Sequence, residues 1–353
     1  MGIRVFLVKA LAPACPGFGR HVDGECLVLG GRRRYAGSAR GTRMSKPAGL
    51  LMMQLVCAIP LCGQLPKREI APVEVILTAQ PDEGGRKVWH TENYRIDFDL
   101  DLSGDELKRI AQVAETTAWL VKHHPLPIFA RSPGRSRISL YSLDEDYTAA
   151  GGVAGTAGYY NGWINCVLIR GSAFKPTADG RRRMLPRQDE ELVVHELVHL
   201  CMRGHFQRMP LWFLEGVAEY FASAHLGAGR FSFVNQDASI RQYIRRRLRP
   251  SDPMAPVSPL QDIVGMNHTT WMDYLRRSAA EDRYRPYASA LLLTHYYLNG
   301  GSQRLEWMRA ALTRPPDGKL TRIDTTGMET AIIRYWKPKG LTPVFTSTPS
   351  ISR

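Results

Sequence analysis

Two histidines and a glutamate in the stretch HELVH, residues 195–199, have the residue types and the spacing needed to bind a metal ion. A helix turns about 100° per residue, so His195 and His199 share one face and lie about 6 Å apart along the axis. Both imidazoles can therefore point at one ion, and Glu196 can take a proton from a water beside it. The spacing predicts a metal site with Glu196 as general base.

A catalytic zinc site normally takes a third protein ligand and leaves its fourth position for water. His205 is one candidate, because it follows His199 by six residues, which is the spacing of the metzincin zinc motif. That motif needs a glycine three residues after the second histidine for a sharp turn, and Met202 occupies this position here. Glu215 is the other candidate. It belongs to the helical stretch PLWFLEGVAEYF, which Pro210 is well placed to begin.

Glu219 follows Glu215 by four residues and therefore shares its face of this second helix. From there its carboxylate could accept the second N–H of a ligand histidine and hold that ring neutral and oriented. Gly216 would let the two helices approach closely. The simpler alternative, two solvated charges on an amphipathic helix, is disfavoured by the HELVH motif that precedes them.

HELVH followed by WFLEGVAEY resembles the gluzincin zinc metallopeptidases, in particular the peptidase-MA-like group with the motif Trp-x-x-Glu-Gly-x-Ala-Glu-Tyr. The resemblance extends in order of elements from about Trp89 to Tyr297, and only the two motifs are specific. It implies zinc as the cofactor, a peptide or protein as the substrate, and these roles: His195, His199 and Glu215 as zinc ligands, Glu196 as general base, and Glu219 as the carboxylate that orients a ligand.

The strand before the metal helix lines the cleft in that family and pairs with extended substrate. The resemblance implies that GWINCVLIR, residues 162–170, is the counterpart. Aminopeptidases of this type carry Gly-x-Met-Glu-Asn on the cleft strand, where the glutamate binds the free amino group of the substrate. The matching stretch here, AGYYNGWIN, has no acidic residue, so we expect an endopeptidase rather than an aminopeptidase.

Peptide hydrolysis also needs a donor for the negative charge that develops on the carbonyl oxygen. In aminopeptidase-like gluzincins this donor is a tyrosine that opens the motif Tyr-x-Lys-Gly before an apolar helix. Tyr287 matches the tyrosine and the helix, although Ser289 and Ala290 replace the Lys-Gly pair. Tyr287 is therefore the predicted catalytic donor. Tyr284 and His295 are alternatives, and packing is the simpler role for each of the three.

The order of elements predicts an α+β domain. Alternating runs predict strands in YRIDFDLDL, in RISLYSL and on both sides of Asn161-Gly162, and a long helix is expected after a capping Ser103. The expected fold is zincin-like, with a small N-terminal mixed sheet, an edge strand beside the metal helix, and a mostly helical C-terminal subdomain. Helices are predicted at 189–203, 210–226, 237–248, 270–280, 285–299 and 303–313.

The first 63 residues differ from the rest, since they carry nine Lys or Arg against two Asp or Glu, giving +7 of the net charge of +14. From Met44, a basic start, an apolar run to Cys62 and small residues before Gln64 are typical of a signal peptide. The run is short for a membrane span. We expect an exported protein (periplasmic, cell-envelope or extracellular) with no stable membrane span after signal removal; a cytosolic protein is the alternative.

These observations divide the chain into five parts. They are 1–43, a non-native or disordered extension; 44–63, a signal peptide; 64–88, a linker; 89–313, a zincin-like metallopeptidase domain; and 314–353, a C-terminal helix and frayed tail. Four of the six cysteines precede residue 64, which leaves Cys166 and Cys201 either to form a bridge or, more simply, to remain two buried thiols.

The remaining positive charge is diffuse, which disfavours specific nucleic-acid binding. IRQYIRRRLRP, residues 240–250, predicts an amphipathic basic helix with a solvated face. A function of another class, a noncatalytic basic binding protein with a vestigial or structural metal site, is the alternative hypothesis. Glu196 argues against it, because a structural site has no use for that carboxylate. The oligomeric state stays open.

Overall fold

The structure is a computed structural model that describes residues 68–131, 133–154, 156–176, 182–184, 189–248, 253–313 and 323–347. The predicted extension at 1–43 and signal peptide at 44–63 lie outside the described residues. None of the helices in these ranges combines the length and the apolar composition that a bilayer span needs.

The described chain is α+β, as predicted, with most strands before most helices. The strands are β1 (Thr78–Glu83), β2 (Arg86–His90), β3 (Tyr94–Phe98), β4 (Ser136–Tyr141), β5 (Gly158–Asn161), β6 (Cys166–Arg170), β7 (Phe174–Pro176), β8 (Arg182–Met184), β9 (His225–Gly227), β10 (Arg230–Phe231), β11 (Met254–Val257) and β12 (Thr342–Phe345). The α-helices are α1 (Gly104–Lys122), α2 (Asp144–Ala149), α3 (Glu190–Cys201), α4 (Leu211–Ala224), α5 (Gln236–Leu248), α6 (Leu260–Val264), α7 (His268–Arg277), α8 (Arg285–Asn299), α9 (Ser302–Thr313) and α10 (Met328–Trp336).

The first six strands form one mixed sheet in the order β1-β2-β3-β4-β6-β5. Strands β3, β4 and β6 are parallel, whereas β1, β2 and β5 pair antiparallel with their neighbours. The expectation that GWINCVLIR forms the edge beside the cleft is wrong, because its strand β6 lies between β4 and β5. The chain reverses after Asn161, with Asn165 in the left-handed region at φ 50°, and this hairpin makes β5 the edge strand.

Two strands begin within the segment predicted as a linker. β1 and β2 pair across Gly84 and Gly85, which have φ values of 57° and 77° that favour glycine. β1 is mostly exposed, and its sequence TAQPDE does not alternate apolar and polar residues. That alternation is the pattern that predicts a strand. At the other end of the chain, β12 pairs in parallel with β11, so part of the predicted tail is ordered.

Helices α1 and α3 pack with the sheet around the main core. The predicted cap of α1 is present, since the Ser103 hydroxyl accepts a hydrogen bond from the Glu106 N–H at 3.1 Å. Helix α4 packs against both α3 and α8, which connects the sheet to the helical half. A smaller apolar cluster also lies against the sheet, formed by Tyr141, Tyr147, Tyr159, Cys166 and Leu168.

Cys166 and Cys201 are free buried thiols, so they form no bridge with each other. Burial raises the pKa of each thiol to about 12. Both cysteines therefore act as small apolar core residues.

Candidate metal centre

Helices α3 and α4 are buried along their whole lengths. The four-residue spacing places His195 and His199 on one face of α3, and α4 brings Glu215 to the same point. Three ligand side chains from two packed helices therefore meet in the interior, each at most 1% exposed.

The ligand atoms of these three residues form a nearly equilateral triangle. His195 Nε2 and His199 Nε2 are 3.0 Å apart, and Glu215 Oε2 lies 3.3 Å from the former and 3.4 Å from the latter. Bonds of about 2.0–2.1 Å to a tetrahedral ion place ligand atoms about 3.3–3.4 Å from one another. The observed separations fit a single cation, and this cluster could hold a metal ion.

Glu196 is fully buried beside the triangle. Its Oε2 accepts a hydrogen bond from the N–H of Tyr160 at 2.7 Å, whereas its Oε1 has no hydrogen-bond partner among the described residues. Burial and then the charge of Glu215 raise the pKa of Glu196 to about 8, although the charge of His195 acts in the opposite direction. The Tyr160 N–H points away from β6, so the outer edge of β5 faces Glu196.

Burial and the neighbouring charges shift the pKa values of all three residues of the triangle. Burial acts to lower the pKa of His195, but hydrogen bonding to Glu215 and Glu219 outweighs it and raises that pKa to about 10. Burial likewise acts to raise the pKa of Glu215, but the two histidines lower it to about 2. The pKa of His199 is lowered, chiefly by burial. Positive charge is thus favoured at the position that a cation would take.

Glu219 lies behind the first histidine, as the sequence predicts. Its Oε1 is 3.1 Å from His195 Nδ1, and its Oε2 accepts a hydrogen bond from the Tyr284 hydroxyl at 2.6 Å. Glu219 therefore contacts the imidazole nitrogen opposite the one that faces Glu215.

The three candidate donors for the oxyanion lie in different places. Tyr287 is beside the site, with its ring centroid 6.3 Å from that of His195. Burial raises the pKa of Tyr287 well above its usual value, so its hydroxyl keeps its proton. Tyr284 already donates to Glu219, and His295 Nε2 lies 3.2 Å from Asp237 Oδ1. Of the three candidates, Tyr287 is the one whose ring contacts a residue of the triangle.

Two further expectations concern His205, which follows α3, and Gly216 of α4. His205 Nε2 lies 3.1 Å from the carbonyl oxygen of Pro127, and His205 is outside the metal cluster. The expectation that Gly216 brings α4 close to the metal helix is wrong. A Cβ on Gly216 would overlap Thr294 Oγ1 and the Ala290 carbonyl, so the close approach is between α4 and α8.

The basic helix α5 is not simply a solvated face. Arg246 makes two hydrogen bonds to the buried carboxylate of Glu191, at 2.7 and 3.3 Å. Three other arginines contact α5 itself or the C-terminal segment: Arg241 with the Lys339 carbonyl, Arg245 with the Gly340 carbonyl, and Arg247 with the Tyr243 hydroxyl. The prediction failed because the partners of Arg241, Arg245 and Arg246 lie 98, 95 and 55 residues away in the sequence. A signal was available in Glu191, because it belongs to a largely apolar helix and a buried carboxylate needs a counter-charge.

Comparison of the chain with protein-family models, curated proteins and solved structures finds no match. The likeness to gluzincins therefore depends on the two sequence motifs and on the positions of their side chains.

Proposed function

We propose that this protein is a zinc-dependent endopeptidase of gluzincin type with a zincin-like fold. The supporting observation is that His195, His199 and Glu215 converge, while Glu196 lies beside them with one carboxylate oxygen uncommitted. Two imidazoles and one carboxylate suit zinc, whereas calcium and magnesium prefer oxygen ligands alone. Zinc is therefore the proposed ion.

Each side chain around the cluster has a separate role in the proposed hydrolysis. Zinc, when bound, supplies a Lewis acid that polarises a carbonyl and lowers the pKa of water to about 7. Glu196 Oε1 takes a proton from the attacking water and delivers it to the leaving amine, while the Tyr160 N–H keeps Oε2 in place. The protonated hydroxyl of Tyr287 donates to the carbonyl oxygen as negative charge develops there.

The edge strand β5 supports an extended peptide as the substrate. An edge strand offers main-chain groups that another strand can pair with, and the outward N–H of Tyr160 reaches Glu196. A peptide that pairs along β5 would therefore pass the general base. Gly158–Asn161 contains no acidic side chain to bind a free amino terminus. This composition favours cleavage of internal bonds.

The reactive groups lie beneath a cover of aromatic side chains. The ring centroid of Phe206 is 5.6 Å from those of both His199 and Tyr160, and Trp271 of α7 packs edge-on against Tyr287 at 5.1 Å. Because Glu196 is fully buried, a peptide reaches it only after part of this cover moves. Phe206 is the half-buried member of this cover.

The test is hydrolysis of a library of internally quenched peptides with acetylated amino termini by the zinc-loaded full chain. We expect internal cleavage that stops when a chelator removes the metal and returns when zinc is restored. Cleavage of unblocked peptides alone, one residue at a time, would indicate an aminopeptidase. A stoichiometrically zinc-loaded protein that cleaves neither kind of peptide would reject the proposal.

The noncatalytic binding protein remains the second candidate, and less supports it. Its most obvious binding element, the basic helix α5, has four arginines in contact with groups of this chain. Tight, salt-sensitive binding to heparin by a protein with substoichiometric zinc would favour it. Export, based on the N-terminal 63 residues, stays a prediction.

A further inference from the structure

The carboxylate of Glu219 has a polar neighbour at each of its oxygens inside the protein. Oε1 lies 3.1 Å from His195 Nδ1, Oε2 accepts the Tyr284 hydroxyl at 2.6 Å, and Glu219 is fully buried. We propose that Tyr284 is a positioning residue of the metal centre, whose hydroxyl fixes Glu219 and, through Glu219, the ring orientation and tautomer of His195. This inference rests on the proposed zinc site but not on the peptidase activity.

Orientation matters because His195 must present Nε2 to the ion. An imidazole that donates Nδ1–H to a carboxylate has its free lone pair on Nε2, and such partners contribute strongly to metal affinity. Glu219 could turn about its side-chain bonds if only one oxygen were held. The Tyr284 hydroxyl removes that freedom, because it donates its single proton to the oxygen that does not face the histidine.

Helix α5 completes the surroundings of this carboxylate. The guanidinium of Arg247 lies over the rings of Tyr243 and Tyr284, at 4.7 and 5.4 Å from their centroids, and donates to the Tyr243 hydroxyl at 3.1 Å. Burial acts to raise the pKa of Glu219, but His195 and, to a smaller extent, Arg247 lower it overall. The arginine therefore packs over both tyrosine rings, and it also lies 3.6 Å from Glu191 Oε2.

This arrangement also gives two neighbouring tyrosines, Tyr284 and Tyr287, different roles. The rings of Tyr284 and Tyr287 are stacked with centroids 5.9 Å apart, yet their hydroxyl groups have different surroundings. The Tyr284 proton is committed to Glu219, which leaves Tyr287 as the donor for a substrate. The same substitution at the two positions should therefore have different effects.

The test measures zinc affinity of the full chain by competition with a chromophoric chelator, with no peptide present. Tyr284→Phe keeps the ring and removes only the hydroxyl, and we expect it to weaken zinc binding about ten-fold. Tyr296→Phe is the matched control on α8, because it removes a hydroxyl that accepts a hydrogen bond from Arg304 at 2.6 Å. It should leave zinc affinity unchanged.

A double-mutant cycle with Glu219→Gln separates positioning from packing. If Tyr284 acts through Glu219, the loss of affinity in the double variant should be smaller than the product of the two single losses. The absorption spectrum of the cobalt-substituted protein should change in Tyr284→Phe and not in Tyr296→Phe. Thermal unfolding of the metal-free variants shows whether each one folds.

Two outcomes overturn the inference: wild-type zinc affinity in Tyr284→Phe, or losses that multiply fully in the double variant. A wild-type protein that binds no zinc overturns it together with the proposed function. Weaker zinc binding in Tyr284→Phe, in a protein that cleaves no peptide, would leave the positioning role intact and reject only the peptidase.

Discussion

Two buried clusters of this protein accommodate carboxylates in different ways. Asp97 of β3 is fully buried and accepts hydrogen bonds from Arg137 at 2.6 and 3.0 Å, from Arg86 at 2.9 Å and from Ser139 at 3.0 Å. Both of its oxygens have partners within the chain. The Asp97 cluster is therefore complete by itself, as a structural ion pair has to be.

The cluster on α3 and α4 is buried at every one of its side chains and is incompletely bonded. Glu196 Oε1 and His199 Nδ1 make no hydrogen bond within the described residues. A buried polar atom without a partner costs about 1–3 kcal/mol. The difference supports the proposal that the α3–α4 cluster binds a metal ion, a water and a substrate.

The largest effect is expected from removing the charge of the general base. Glu196→Gln should lower turnover about 10²–10⁴-fold, because the amide cannot take a proton, while zinc remains bound. Turnover and zinc content are measured on the same preparation. Asp97→Asn makes a comparable acid-to-amide change in the complete cluster and should leave turnover at its wild-type value. Retained hydrolysis in Glu196→Gln would exclude this residue as the base.

The next effect concerns the oxyanion. Tyr287→Phe should lower turnover about 10²–10³-fold, since one donor to the developing charge is lost. The ring that packs against Trp271 remains, so the melting temperature should change little. Steady-state kinetics with Tyr296→Phe as the control provide the measurement. Equal turnover in the two variants would assign Tyr287 to packing.

The Asp97 cluster is expected to affect the free energy of unfolding rather than turnover. Asp97→Asn is expected to lower the free energy of unfolding by about 3 kcal/mol in urea titrations. Burial acts to raise the pKa of Asp97, but Arg137 and Arg86 lower it overall. A lowered folded-state pKa stabilises the fold above the unfolded pKa of about 3.9, and this contribution is lost as pH falls through the folded value. The difference between wild type and Asp97→Asn should therefore shrink below about pH 4; a constant difference would contradict this.

Zinc should stabilise the protein by binding to the α3–α4 cluster, and this stabilisation should not depend on the Asp97 cluster. Free zinc at about 100 times its dissociation constant should raise the free energy of unfolding by about 2.7 kcal/mol. Asp97→Asn should show the same increment from a lower starting point, whereas His199→Ala should show none. Thermal unfolding with and without zinc measures this, and an equal increment in His199→Ala would place the ion elsewhere.

Sequence alone could predict the parts of the site that local geometry controls. The spacing of His195 and His199 determines their shared face on any helix, and Glu215 and Glu219 are related in the same way. The helices from residue 189 onwards were predicted well, except α6, which is short and lies among prolines. Local periodicity and Pro210 carry this information without knowledge of the tertiary structure.

Contacts between distant segments could not be predicted in this way. The partner of Gly216 is α8 rather than α3, strand β1 is mostly exposed, and β12 pairs with the distant strand β11. The hydrogen bond of Tyr284 to Glu219 joins residues 65 positions apart. Such contacts depend on how the elements pack, which a single sequence does not encode in any local pattern.

Metal content of ligand variants tests the central claim most directly. After chelation and reloading, the wild-type chain and His205→Ala should each retain about one zinc ion per chain, whereas Glu215→Gln should bind zinc far more weakly. His205 is the matched control because its side chain reaches the Pro127 carbonyl instead. Full zinc content with wild-type affinity in Glu215→Gln, or its loss in His205→Ala, would contradict the proposed ligand set.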